Sequence, residues 1–139
     1  MSLSIRNQLP GTITSVTTGE AMATVKVRLG GGQDITAAIT TESVKDLGLA
    51  EGAEVKILVK STEVSLATGP LQGLSIRNQI AGTVTDIAVG GAMASVKVDV
   101  EGGTLTAAIT RDAVADLALA AGSPVVALIK STEVSLAGV

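Results

Sequence analysis

The chain has 139 residues, a formal net charge of −3 and no Cys, His, Trp, Tyr or Phe. These absences exclude a thiolate or histidine-based catalytic centre, the usual zinc and haem ligands, and any disulfide framework. They also remove the aromatic platforms on which single-stranded nucleic acid stacks, and the acidic balance opposes attraction to phosphate backbones.

The N-terminal "MSLSIRNQLPG" has no positively charged lead followed by an apolar stretch, so it does not read as a signal peptide. Apolar runs are short and fall well below the ~20 residues of a membrane span. A cytoplasmic protein without membrane attachment is the expectation.

Along the chain, "TITSV", "MATVKVRL", "DITAAIT" and "EVKILVKSTEVSL" alternate in polarity or are rich in β-branched residues, and read as strands. The glycines at 30–32 mark a hairpin turn. "TESVKDLGLAEG" breaks the strand pattern: Val44 and Leu47 share a helical face, Thr41 is a candidate N-cap, and Gly48 or Gly52 can end the helix. After "ATGPLQG" (67–73), a Gly/Pro stretch suited to a linker, the same order returns. Leu3 aligns with Leu74, and one deletion in the glycine turn ("GGGQD" against "EGGT") keeps the copies in register, with about six aligned positions in ten identical. The chain is a tandem duplication, with units expected at 1–68 and 69–139. Each reads as about five strands with one short helix before the last strand, which makes the protein all-β and favours a small closed Greek-key barrel of OB type. A unit this short, without aromatics, builds a thin core, so association into a homo-oligomer is expected.

The duplication filters the charges. Lys26, Arg6 and Lys60 are kept as Lys97, Arg77 and Lys130, whereas Arg28, Lys45 and Lys56 become Asp99, Ala115 and Val126. Two of the kept cations lie in phrases that are copied unchanged, "LSIRNQ" and "KSTEVSLA". Together these phrases offer Ser4, Arg6, Asn7, Lys60, Ser61 and Thr62, and in the second unit Ser75, Arg77, Asn78, Lys130, Ser131 and Thr132. Every one of these side chains can donate a hydrogen bond. On a strand, Lys60 and Thr62 would face away from Ser61 and Glu63, so the glutamate need not face a ligand held by Lys60.

A donor-rich set without carboxylates suits a tetrahedral oxyanion, since each charge-assisted bond contributes roughly 1.5–3 kcal/mol. Thr40, Thr41 and Ser43, at the start of the helix, add further donors, and their counterparts are Thr110, Arg111 and Ala113. Three other readings stay open on residues alone: a nucleic-acid module, an enzyme on a phosphorylated or carboxylated substrate, and a purely structural oligomer. No basic–aromatic interleaving supports the first, and no nucleophile–base pair supports the second, so no catalytic residue and no metal site are assigned.

The residues "SIRNQLPGTI", "AAITTESV" and "LVKSTEV", and again "SIRNQIAGTV", "AAITRDAV" and "LIKSTEV", resemble the hallmark of the molybdate-binding Mop domains of molbindins, in their freestanding two-Mop form. The resemblance covers nearly the whole chain. It implies two tandem OB-fold-like Mop barrels assembled around a threefold axis, with two-Mop chains forming trimers. It also implies molybdate as ligand, with tungstate as surrogate, held at inter-domain interfaces without metal–protein bonds and without a cofactor. Carried over, the ligand-binding set is Ser4, Arg6, Thr40, Ser43, Lys60 and Ser61, then Ser75, Arg77, Thr110, Lys130 and Ser131; Ala113 departs from the pattern. Asn7 and Asn78 are kept in the set as donors, with positioning of the strand as their other role. Neither a helix-turn-helix pattern nor a "GxxxxGK[ST]" motif is present, which leaves intracellular molybdenum storage or homeostasis as the expected role.

Overall fold

A computed structural model describes residues 2–139. The first half runs β1 (Asn7–Thr18), β2 (Met22–Leu29), β3 (Asp34–Thr40), α1 (Thr41–Asp46), β4 (Glu54–Val59), a 3-10 turn (Ser61–Glu63) and β5 (Ser65–Ala67). The second half repeats it as β6 (Asn78–Val89), β7 (Met93–Val100), β8 (Gly103–Thr110), α2 (Arg111–Asp116), β9 (Pro124–Ile129), a second 3-10 turn (Ser131–Glu133) and β10 (Ser135–Gly138).

The strands form two five-stranded antiparallel sheets, ordered β10-β4-β1-β2-β3 and β5-β9-β6-β7-β8. Each sheet is completed by the last short strand of the other half: Leu136 pairs with Ile57, and Leu66 with Ala127. The long strand β1 serves two neighbours, pairing Asn7–Thr12 with β4 and Gly11–Thr18 with β2. A register shift between Ile13 and Ser15, repeated between Val84 and Asp86, bends the strand so that the sheet curls. At the crossing, a Cβ on Gly82 would lie 2.6 Å from the Asp99 carbonyl oxygen, so only glycine permits this approach.

Strict alternation puts Ala23, Val25, Val27 and Leu29 of β2 inside and their neighbours outside. Ile13, Ile35, Val55 and Ile57 close the first interior, and Ile80, Val84, Leu105 and Ile129 the second. The two interiors merge into one apolar cluster across the exchanged strands. Aliphatic side chains alone thus build a shared core from two thin ones.

Three local expectations are corrected. "EVKILVKSTEVSL" is not one strand: it breaks after Val59 into a 3-10 turn, because the Glu63 N–H bonds the Lys60 carbonyl at 2.9 Å and closes the chain on itself. As a result the helix precedes β4, not the last strand. The N-cap is Thr40, not Thr41; its hydroxyl accepts the Ser43 N–H, while Thr41 is buried and donates to the Gly19 carbonyl at 3.0 Å. Val44 is buried as expected, but Leu47 is 47% exposed, and Leu49 fills the core instead. The reason is Gly48, whose φ of +61° ends the helix and turns the chain so that Leu49 points inward. The second copy makes the same turn with alanine, at Ala118 (φ 52°).

Candidate oxyanion site

The phrase SIRNQ folds into a tight, self-bonded corner ahead of the first long strand. Arg6 donates from Nη2 to the Leu3 carbonyl at 2.8 Å and from Nε to the Ser4 carbonyl at 3.3 Å. Gln8 donates to the Ile5 carbonyl at 3.0 Å. The second corner is the same: Arg77 to Leu74 at 2.8 Å and to Ser75 at 3.4 Å, and Gln79 to Ile76 at 3.0 Å. Part of the guanidinium is therefore occupied locally, and its remaining N–H groups stay exposed.

Asn7 and Asn78 take the second of the two roles expected of them, positioning backbone. Asn7 is 1% exposed and Asn78 2%. Asn78 donates to the Thr36 carbonyl and accepts the Thr36 N–H, both at 2.8 Å. Asn7 does the same to Thr106, at 2.9 and 2.7 Å. Thr36 lies on β3 and Thr106 on β8, each an edge strand of the opposite half. The amide therefore mimics one rung of a neighbouring strand and covers that edge. Both ends of each buried amide are engaged with backbone, so the asparagines fasten one half to the other.

The strand register brings the two copied phrases together. Asn78 pairs with Ile129, so Arg77 and Lys130 are the next residues at the same open end; Asn7 pairs with Val59, which places Arg6 and Lys60 alike. In the second half, Ser75, Ile76, Arg77, Lys130, Ser131 and Thr132 line one cavity of about 310 Å³. Four of the expected residues, two cations and two hydroxyls, thus share a cavity with no carboxylate in its lining. In the first half, Ser4 and Arg6 lie at the corner, and Lys60 lines a cavity of about 150 Å³ with Ile5, Leu58, Glu63, Thr132, Glu133 and Ser135. The Ser61 Oγ is buried and has no hydrogen-bond partner among the described residues.

The expected separation of Lys60 from Glu63 is overturned. The chain closes into a 3-10 turn directly after Lys60, and Glu63 lines the same cavity as Lys60 instead of lying on the opposite face. Glu63, Glu133 and Gln8, with Gln79, were not assigned a role by sequence, although each belongs to a copied phrase. Among the described residues the one ion pair is Arg28–Asp34 at 3.1 Å, where the carboxylate hydrogen bond and charge raise the arginine pKa; Lys60, Lys130, Arg6 and Arg77 carry no fixed counter-ion.

Thr40, Ser43 and Thr110 line neither of these two cavities. The Thr40 hydroxyl accepts the Ser43 N–H at 3.1 Å and donates to the Ser43 Oγ at 2.8 Å, which leaves the serine proton available. Thr110 caps through the Ala113 N–H at 3.1 Å and keeps its own proton.

A duplicated β-fold with donor clusters at matching strand ends has known counterparts. TOBE domains match residues 3–66 and 74–136, and the chain belongs to the TOBE-domain family. It is 43% identical over 136 residues to the molybdenum-pterin-binding protein MopB of Rhodobacter capsulatus, covering 96% of this chain and 50% of that one. It is 39% identical over 138 residues to the molybdenum transport protein ModE of Azotobacter vinelandii, covering 99% of this chain and 51% of that protein. The chain thus spans about half the length of these relatives. Among solved structures, the cytoplasmic molybdate-binding protein ModG with molybdate bound superposes with a TM-score of 0.97 at 38% identity, over 100% of both chains. The resemblance carried by SIRNQ and KSTEV, and the two-unit all-β fold, are borne out.

Proposed function

We propose that this protein binds molybdate, and tungstate as its surrogate, for molybdenum storage and homeostasis in the cytoplasm. The observation that carries the reading is the cavity in which Ser75, Arg77, Lys130 and Ser131 converge with no acidic side chain. Two cations and two hydroxyls suit a fully deprotonated dianion, which accepts hydrogen bonds and offers none. Its relatives named for molybdenum and the molybdate-bound ModG structure support the choice of anion. The orphan Ser61 hydroxyl supports an equivalent site in the first half, since a buried donor without a partner is costly.

Binding rather than catalysis is the role, for no nucleophile is set against a base. The Thr40–Ser43 and Thr110 corners line neither of the two cavities, so in this reading they come from neighbouring subunits of a homotrimer. The half-exposed Met22 and Met93, paired in register with Thr40 and Thr110, supply apolar contact area beside those corners. No helix among the described residues is long and apolar enough to cross a membrane. Neither nucleic acid nor membrane is a partner in this proposal.

The test is calorimetric titration with molybdate, repeated with an excess of sulfate and of phosphate. Binding that survives both competitors, at more than one anion per chain, supports a dedicated store. Absence of binding at low ionic strength returns both copied phrases to a structural role, to which the local bonds of Arg6, Asn7 and Gln8 already contribute. Sedimentation velocity checks the trimer.

A further inference from the structure

We infer that Glu63 and Glu133 weaken anion binding at Lys60 and so tune the site for release; this rests on the oxyanion-binding reading above. Both 3-10 turns place their glutamate three residues after their lysine, with the Glu63 and Glu133 N–H groups bonded to the Lys60 and Lys130 carbonyls at 2.9 Å. The turns come from opposite halves and converge, so the cavity at Lys60 receives its own glutamate and that of the other unit. Lys60, Glu63 and Glu133 are the charged groups in its lining; Thr132, Ser135, Ile5 and Leu58 complete it. The cavity at Lys130 has Arg77 in its lining and no carboxylate.

A compact cavity of 150 Å³ is about 7 Å across, so an anion beside Lys60 sits within reach of both negative charges. Neither carboxylate is within ion-pairing distance of Lys60, so neither neutralises the ammonium; they act on the incoming dianion through space. At about 7 Å in water, one carboxylate lowers the affinity for a dianion by up to about tenfold at low ionic strength, and by about two- to threefold once salt screens it. Neither carboxylate accepts a hydrogen bond among the side-chain bonds of the described residues, so replacing it with an amide removes charge without removing a structural contact.

The experiment is calorimetric titration of the full chain and of its Glu63→Gln and Glu133→Gln variants with sodium molybdate, at low and at physiological ionic strength. Each variant is expected to bind more tightly than the parent, by up to about tenfold at low salt, with the gain shrinking as salt rises. Glu63→Asp, which keeps the charge, is expected to stay near the parent. A gain in affinity is not what loss of a structural role produces. Unchanged or weaker binding in both amide variants, with the parent binding normally, overturns the inference. A parent that does not bind molybdate overturns the oxyanion reading itself.

Discussion

Replacing Asn78 with alanine tests the proposal that the two halves are fastened by amides that imitate a strand. The substitution removes both 2.8 Å bonds to Thr36 and leaves the Thr36 N–H and carbonyl facing a junction in which the asparagine is 2% exposed. Each orphaned group costs about 1–3 kcal/mol, so the loss is about 2–6 kcal/mol, a large share of the ~5–15 kcal/mol typical of a domain. The chain has no aromatic residue and hence no intrinsic fluorescence, so urea unfolding is followed by far-ultraviolet circular dichroism. The expected result is a lower urea midpoint, with the slope retained if the transition stays two-state. Asn7→Ala should behave in parallel, because its bonds to Thr106 are equivalent at 2.9 and 2.7 Å. Gln79→Ala, at an exposed corner with a single bond to Ile76, should cost less than about 1 kcal/mol. A loss below about 0.5 kcal/mol in both asparagine variants would refute the fastening argument, since it would mean that water satisfies Thr36 and Thr106 without cost.

Two further outcomes are expected. Lys130→Ala should weaken molybdate binding by about 10- to 150-fold in calorimetry, the equivalent of one charge-assisted bond of about 1.5–3 kcal/mol, while leaving the urea midpoint near the parent because the Lys130 side chain makes no ion pair among the described residues and its carbonyl bond to the Glu133 N–H survives the substitution. Ala118→Gly should stabilise the protein by about 0.5–1 kcal/mol, seen as a higher midpoint, because alanine there sits at φ 52°, a conformation that Gly48 adopts freely in the first copy.

Much of the architecture was legible from pattern. Alternation in "MATVKVRL" tells which side chains enter the core, since a pleated strand has a strict period of two and β2 follows it without exception. The tandem repeat and the short helix were legible for similar reasons. Local detail was lost where two short-range preferences compete. "KSTEV" is rich in β-branched and hydroxyl residues and alternates like a strand, yet Lys60–Glu63 closes a 3-10 turn, and that single change moves Glu63 from the far face to the side of Lys60. Leu47 lost its place in the core to Leu49 because the turn at Gly48 redirects the chain within two residues.

By itself, the sequence determined the duplication, the aliphatic alternation that forms sheets, and the cations that keep matching positions, all of which are local or periodic properties. Only the tertiary structure decided that each sheet borrows its last strand from the other half, that Asn7 and Asn78 spend their amides on Thr106 and Thr36, and that Arg77 meets Lys130 across a strand end. These contacts join residues 42 or 99 positions apart in the case of the asparagines, and no local preference encodes a partner at that distance. They exist because buried backbone groups on an edge strand must find donors and acceptors, and the folded sheets bring the asparagines of the other half to them.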